Sequence, residues 1–465
     1  MCECFIPEFC KNIGGTVSVI LTLNDLKNYK PKKDTYFVFG DPINHSLSPK
    51  LHSIYFNNNN IDADYIAAHI KPDELKEAIE IIRPYAKGVN LTIPHKKAII
   101  PMLDFISEEA EKIGAVNTLV FNSGKITGYN TDCYGLLLTL TKYGCSLKDK
   151  SVLILGNGGV SEAFLYVCLK YTNNITVAGR NLEKTTEFCK NTPAVPCLIS
   201  DIENEKFDVL LNGTPVGMSS TAEKSPVGIN VIKNSGFVFD SIYNPLNTNL
   251  TVIADIYNIK NTSGLYMLIY QGLKAQELWG NSFNDGDAEL IYKNLKNEFG
   301  FSKKNIVLTG YMGSGKTTAS REIEKITGKI TVDTDKLIEE TEGLRISEIF
   351  SEYGEEYFRK LETQMTEKVC RLNGAVISTG GGIIKNSVNI DNLKKNGIVF
   401  FLNPDIEEIT SRLIGSTTRP LIQNPENIKK IHEERLPLYK KYADYIISKN
   451  STAESVGEIL GITEK

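Results

Sequence analysis

The sequence predicts an α/β protein of two or three parallel-sheet units. Its 465 residues, at roughly 150 per domain, give about three domains. Short apolar runs of strand character alternate with segments of helical spacing, the pattern of parallel sheets throughout. Two of those runs end in glycine-rich turns that open a helix. Composition agrees: 41% hydrophobic residues and 36 glycines exclude a disordered chain. With 52 Lys+Arg against 56 Asp+Glu, the net charge of −4 gives no overall pull toward nucleic acid or an anionic membrane. No apolar run approaches the ~20 residues needed to span a bilayer. Met1-Cys2-Glu3-Cys4-Phe5-Ile6-Pro7 lacks the basic start and long apolar stretch of a signal peptide. Nine scattered cysteines, an odd number, suit reduced thiols. The expectation is a cytoplasmic protein whose partners are small molecules, with neither nucleic acid nor membrane among them. Composition says nothing of oligomeric state.

Residues 1–35 fit poorly with the strand–helix alternation of the remaining chain. Cys2, Cys4 and Cys10 match no common zinc spacing, so this stretch reads as a loose N-terminal extension of unknown role. Tyr36-Phe37-Val38-Phe39-Gly40 reads as a buried strand, 71–83 as a helix and 88–94 as a second strand. Ser151–Gly156 is a strand running into a glycine turn, and Ile175–Gly179 and Phe237–Asp240 read as further strands. Near 281–304 the chain turns polar and charged, which marks the main domain boundary. Asn305–Gly310 then starts a new strand, and Ala375–Ser378 another.

The sharpest signal is Gly310-Tyr311-Met312-Gly313-Ser314-Gly315-Lys316-Thr317, which matches G-x-x-x-x-G-K-[ST] between a strand and a helix. Its glycines let backbone N–H groups close around phosphate oxygens, and the helix N-terminus adds positive charge. Lys316 would reach the β/γ-phosphates, and Thr317 would ligate Mg²⁺. Asp333-Thr334-Asp335 lies where the next strand should end. Its two carboxylates suit Mg²⁺ and an acceptor hydroxyl, or equally a helix N-cap. Arg359 sits on a helix in Phe358-Arg359-Lys360-Leu361-Glu362, where it can also simply face solvent. Gly380-Gly381-Gly382 follows a strand, as room for a ligand or as a turn. Arg412, Arg419 and Arg435 punctuate the last segment, with Arg419-Pro420-Leu421 in a polar stretch suited to a lid.

In order and spacing, residues of about 303–450 resemble shikimate kinase. The resemblance implies a P-loop domain over 303–465 with a parallel sheet, using ATP and Mg²⁺. It implies that Asp335 activates the acceptor hydroxyl and that Asp333 and Thr317 position the metal. Gly313, Ser314, Gly315, Lys316, Thr317, Thr318, Arg412 and Arg419 would bind ATP, with Arg419 over the transferring phosphate. Arg359 and Arg435 would hold the shikimate carboxylate, and Gly381 and Gly382 would pack on its ring. A small carboxylate needs guanidinium forks, and phosphoryl transfer needs charge neutralisation, so the chemistry agrees.

Upstream, Gly156-Asn157-Gly158-Gly159-Val160 is an imperfect G-x-G-x-x-G, because Ser161 stands at its last position. The following strand ends at Gly179-Arg180-Asn181, with Lys184 just beyond. Arg180 and Lys184 suit a 2′-phosphate, hence NADP, or form a solvated basic turn. His45-Ser46-Leu47-Ser48-Pro49 reads by itself as a capped helix start, and Lys96 as a solubilising lysine after a strand. Asn117 and Asp132 lie at strand ends, where α/β sites form. Together with Asn212–Met218, Tyr243-Asn244-Pro245 and Gly264–Gln271, these segments resemble shikimate dehydrogenase over about 36–298.

That resemblance implies an α/β substrate-binding domain at 36–135, an NADP-binding Rossmann domain at 136–270, and a return to the substrate domain at 271–298. Ser46 and Ser48 would bind the substrate carboxylate, and Thr92, Asn117 and Gln271 its hydroxyls, with Tyr243 beside them. Lys96 and Asp132 would be catalytic. Gly156, Asn157, Gly158, Gly159, Val160, Arg180, Asn181, Lys184 and Gly264 would hold NADPH. A cationic lysine beside the developing alkoxide is what carbonyl reduction needs. Gly179, Asn181 and Lys184 depart from the family's Asn-Arg-Thr and later arginine, Cys133 replaces a glycine, and Tyr266 replaces a glycine near the nicotinamide. The two resemblances imply a bifunctional enzyme of aromatic amino-acid biosynthesis. Its Lys96, Asp132, Asp335, Lys316 and Arg419 would carry the chemistry. The alternatives are quinate or dual NAD/NADP use, a nucleotide-sensing P-loop module, and a structural second module.

Overall fold

The apolar runs resolve into three sheets in a computed structural model that describes residues 20–414 and 425–463. The chain forms two compact units. One runs to Gly144 and adds Glu162–Val167 and Tyr266–Glu298; the other comprises Cys145–Ser161, Cys168–Leu265 and the chain from Phe299.

The first unit holds β1 (Leu21–Thr22), β2 (Asp34–Gly40), β3 (Ala63–His69), β4 (Ala86–Leu91), β5 (Phe105–Ile106), β6 (Thr118–Asn122) and β7 (Lys125–Tyr129), in the order β1-β3-β2-β4-β6-β7-β5. This sheet corrects the expectation of parallel sheets throughout, because β6 runs antiparallel to both β4 and β7. The reason is local. Ser123 (φ 48°) and Gly124 (φ 77°) make a two-residue link, and so short a link joins only antiparallel strands.

The N-terminal stretch is also not wholly loose. β1 pairs with β3, and Leu23 and Leu26 of the helix Leu23–Asn28 are buried in the core with Phe37, Phe39 and Ile79. Thr22 caps that helix and Asp25 bonds back to the Thr22 backbone, a reciprocal cap. Cys2, Cys4 and Cys10 lie outside the described residues.

The second unit holds two all-parallel sheets. β8 (Val152–Leu155), β9 (Ile175–Gly179), β10 (Val195–Leu198), β11 (Phe207–Asn212), β12 (Ser235–Asp240) and β13 (Lys260–Ser263) lie in the order β10-β9-β8-β11-β12-β13. The strand order reverses between β8 and β11, the switch point where dinucleotides bind in this topology. β14 (Asn305–Thr309), β15 (Thr331–Asp333), β16 (Val376–Ser378), β17 (Gly397–Leu402) and β18 (Tyr445–Ile447) lie in the order β15-β16-β14-β17-β18. All residues of β8 and β14 are buried, as expected of central strands covered on both faces. Among the described residues no helix is long and apolar enough to cross a membrane. Cys133, Cys145, Cys168, Cys189, Cys197 and Cys370 are thiols rather than disulfides.

Candidate active sites

In the first unit, topology brings the predicted residues to one sheet edge. β2 and β4 are parallel, so the segments after Gly40 and Leu91 leave on the same side; these carry Ser46, Ser48, Thr92 and Lys96. β6 is antiparallel to β4, so Asn117 enters it from that side. β7 is antiparallel to β6 and leaves there, followed by Thr131 and Asp132.

The centre of this edge is an ion pair. Lys96 Nζ donates to Asp132 Oδ2 at 2.6 Å, and both side chains are largely shielded from solvent. Asn117 Nδ2 donates to Asp132 Oδ1 at 2.9 Å, and the Asn117 side-chain oxygen accepts the Thr131 backbone N–H at 2.8 Å. Gln271 Oε1 accepts from Asn117 at 3.4 Å and from Thr131 at 3.3 Å. Gln271 reaches this network because Gly135 lets two helices touch; a Cβ there would stand 2.5 Å from the Met267 carbonyl oxygen. Gly135, three residues beyond the aspartate, escaped the sequence reading. Ser46 and Ser48 stand at the start of the helix Ser48–Asn58, with the Ser48 N–H donating to Ser46 Oγ at 3.3 Å.

The structure also accounts for two departures from the family. Tyr266 stacks on Tyr292 with ring centroids 4.3 Å apart, and its hydroxyl donates to Glu289 at 2.9 Å. Its bulk is absorbed between helices of the same unit. Cys133 is buried, its thiol 3.7 Å from the Ala163 carbonyl oxygen.

In the second unit, β8 ends at Gly156, whose φ of +93° only glycine adopts without strain, and the turn opens the helix Gly159–Leu169. Gly158 borders open space, so a dinucleotide pyrophosphate can approach the backbone there. Ser161 fits in place of the last glycine because Gly213 leaves room; a Cβ on Gly213 would stand 2.3 Å from Ser161 Oγ. Arg180, Asn181 and Lys184 follow β9 and are exposed. Asn181 is the N-cap of the helix Leu182–Cys189, accepting the Lys184 N–H at 2.9 Å. The two exposed cations at this strand end are Arg180 and Lys184. Gly264 packs on the Ser241 carbonyl, where a Cβ would come to 2.0 Å. Burial pushes the Tyr243 hydroxyl above its ordinary pKa. Asp240 is fully buried and accepts from Asn212, Thr248 and the Ile242 N–H; burial nonetheless pushes its carboxyl up to about 6.

At the third sheet, β14 ends in the phosphate loop. Lys316 Nζ donates to the carbonyls of Gly310 (2.8 Å) and Tyr311 (3.0 Å), folded over the loop it closes. The cap reading of the aspartate pair is the one the structure displays. Asp333 Oδ1 caps the helix Thr334–Glu342 through the Asp335 and Lys336 N–H groups, and Asp333 Oδ2 accepts from Thr317 at 3.3 Å and Ser378 at 3.0 Å. An all-oxygen set of this kind suits a hard cation such as Mg²⁺, which takes its remaining ligands from phosphates and water.

The glycine triplet makes room for two charged side chains. A Cβ at Gly380 would stand 2.3 Å from Asp335 Oδ1, and one at Gly382 would stand 2.6 Å from Arg359 Nη1. Arg359 is clamped by Glu362 and Glu355, each at 2.9 Å. Burial holds the Glu362 carboxyl above its ordinary pKa against the pull of Arg359. Arg435 donates to the Gly381 carbonyl at 3.1 Å, and Tyr439 to the same oxygen at 2.6 Å. Arg412 bonds to Gly313 O at 3.1 Å and lines a shallow cleft with Ser314, Gly315, Lys449, Asn450 and Thr452. Tyr439 and the Lys449–Thr452 run escaped the sequence reading. The run's signal was a polar cluster just ahead of a helix. Arg419 lies outside the described residues.

Two nucleotide cradles, one Rossmann and one P-loop, each with charged groups arranged at strand ends, define an α/β enzyme with two nucleotide-dependent modules. Comparison with known proteins makes the class specific. The family model for the shikimate dehydrogenase substrate-binding domain matches residues 38–119, and that for shikimate kinase matches 312–463. The NADP(+) shikimate dehydrogenase of Caldanaerobacter subterraneus subsp. tengcongensis is 36% identical over 270 residues, 56% of this chain and 96% of that protein. Among solved structures, shikimate dehydrogenase 1 of Peptoclostridium difficile is 33% identical with a TM-score of 0.53, covering 57% of this chain and all of that one. A chorismate mutase/shikimate 5-dehydrogenase fusion from Clostridium acetobutylicum is 31% identical with a TM-score of 0.54, covering 58% of this chain and 99% of that one. The chain belongs to the shikimate dehydrogenase family and carries a shikimate kinase domain after it.

Proposed function

We propose that the chain reduces 3-dehydroshikimate to shikimate with NADPH, and phosphorylates the shikimate 3-hydroxyl with ATP and Mg²⁺. The observation that carries the reading is the Lys96–Asp132 pair at 2.6 Å, locked by Asn117 and Gln271. Lys96 Nζ donates a proton to the carbonyl oxygen, where negative charge develops during reduction. Asp132 holds the ammonium in place at 2.6 Å. Asn117 and Gln271 orient the ring hydroxyls, and Ser46 and Ser48 take the carboxylate. NADPH supplies the hydride; Gly156–Gly159 would hold its pyrophosphate, and Arg180 and Lys184 its 2′-phosphate.

In the kinase module, Asp335 accepts the proton of the acceptor hydroxyl, and Arg359 and Arg435 fix the acceptor carboxylate. ATP supplies the γ-phosphoryl group. Thr317 and Asp333 would hold the metal, and Lys316 would swing from its loop carbonyls onto the phosphates. By the resemblance alone, Arg419 would neutralise the transferred group.

The test is one mixture of the chain with 3-dehydroshikimate, NADPH, ATP and Mg²⁺, followed by absorbance and mass spectrometry. Shikimate 3-phosphate formed with NADPH loss is the expected result. Shikimate accumulating unphosphorylated would overturn the kinase assignment. Absence of NADPH loss would overturn the dehydrogenase assignment.

A further inference from the structure

The NADP-binding module and the kinase share one compact unit, and the seam between them is specific. The helix Asn249–Ile256 of the Rossmann module packs on the helix Ile346–Val369 of the kinase. Leu250, Ile253, Val231 and Ile232 on one side and Val369 and Leu372 on the other belong to a single buried apolar cluster. At its centre Asn249 and Asn373, both fully buried, bond reciprocally. Asn249 Nδ2 donates to the Asn373 carbonyl at 3.0 Å, and Asn249 Oδ1 accepts the Asn373 N–H at 2.8 Å. Asn373 Nδ2 adds a bond to the Asn247 carbonyl at 2.9 Å. Buried amides are costly to leave unpaired, so this pairing fixes one register. Around it, Arg371 pairs with Asp255, and Lys368 donates to the Asp255 carbonyl and Asn258 Oδ1, each at 2.8 Å. Lys233 (3.0 Å) and the Tyr257 hydroxyl (2.7 Å) both reach Glu340.

The seam touches the kinase unevenly. Glu340 lies on the helix Thr334–Glu342, whose first turn carries Asp335. Lys368 ends the long helix that carries Arg359 and Glu362, with Arg371 and Asn373 just beyond it. The acceptor-binding side thus rests on the Rossmann module. The nucleotide side is held by the kinase's own residues, with Arg412 bonded to Glu408, Gly313 and Asn450.

We infer that the NADP-binding module positions the kinase's acceptor-binding helices, with Asn249, Asp255 and Tyr257 as positioning residues for shikimate phosphorylation. This rests on shikimate being the kinase acceptor. If the unsubstituted chain does not phosphorylate shikimate, that reading fails; if it does, substitutions in the seam test the seam alone.

The experiment uses the full chain with Asn249→Asp, Asp255→Arg, Arg371→Asp and the double variant Asp255→Arg/Arg371→Asp. Asn249→Asp sets a carboxylate oxygen against the Asn373 carbonyl while suiting the first turn of its helix. Each single variant should raise the shikimate KM about fivefold or more, the low end of coupling between sites. The ATP KM should stay within about twofold, and NADPH oxidation by the same preparation should be unchanged. The charge swap should restore most of the shikimate KM. A structural role alone would lower active-enzyme concentration and move neither KM, so an unchanged shikimate KM in the folded single variants overturns the inference. ATP and shikimate KM rising together overturn it as well. If Asn249→Asp does not fold, Tyr257→Phe, which removes one bond to Glu340, gives the same readout.

Discussion

Replacing Gly382 by alanine should weaken acceptor binding in the kinase and leave the dehydrogenase untouched. The new Cβ would stand 2.6, 2.8 and 3.0 Å from Nη1, Nη2 and Cζ of Arg359. An ordinary contact begins near 3.4 Å, so the guanidinium must retreat by about 0.8 Å. It cannot do so freely, because Glu362 and Glu355 hold it at 2.9 Å. A displacement of that size breaks at least one of two parallel bonds to a carboxylate. A hydrogen bond to a charged group contributes about 1.5–3 kcal/mol. At 1.4 kcal/mol per decade, the shikimate KM should rise about 10- to 150-fold. The assay is ADP release at saturating ATP with shikimate varied, and NADPH oxidation by the same preparation reports folding. A shikimate KM within twofold of the parent would refute the claim that the triplet makes room for Arg359. So would a parallel fall in dehydrogenase activity. Gly381→Ala is the control, because its nearest protein atom, Met312 Cγ, lies at 3.4 Å; a loss there reports the ring of the acceptor instead.

Four further outcomes rest on the same geometry. Lys96→Ala removes the ammonium 2.6 Å from Asp132 and should lower NADPH oxidation by about 10²- to 10⁴-fold, with ADP release from ATP in the presence of shikimate unchanged. Asp335→Asn should do the reverse, which the same paired assay reads. Arg180→Ala should raise the NADPH KM while leaving the NADH KM alone, since only the former carries a 2′-phosphate; equal changes in both would remove Arg180 from that subsite. The buried Asp240 carboxyl has its pKa raised from 3.8 to about 6, so it favours the folded state when protonated. Its contribution is complete below about pH 4 and is lost as pH rises through 6, a change of about 3 kcal/mol. Asp240→Asn, neutral throughout, should flatten that window, and urea unfolding of both chains at pH 4.5 and 7 checks it.

Much of the chemistry was readable because it is written in short local motifs. Gly310–Thr317, Gly156–Val160 and Asp333–Asp335 each combine a strand end, a turn and a helix start, which neighbouring residues determine among themselves. The Ser123-Gly124 link was equally local and went unread, and with it the antiparallel strand β6. Leu23 and Leu26 went unread for a different reason. A two-residue strand and a six-residue helix carry almost no periodicity, and only the core they enter reveals them.

The sequence by itself determined the two phosphate loops and the residue types at each strand end, since these depend on backbone freedom and local caps. It also carried the alternation that makes an α/β fold. Tertiary structure decided the rest. It set Asn117 and Gln271 on the Lys96–Asp132 pair across 154 residues, because Gly135 lets two helices meet. It turned Tyr266 onto Tyr292, and it joined Asn249 to Asn373. Such partners are chosen by packing between elements far apart in the chain, and no spacing along one segment encodes them.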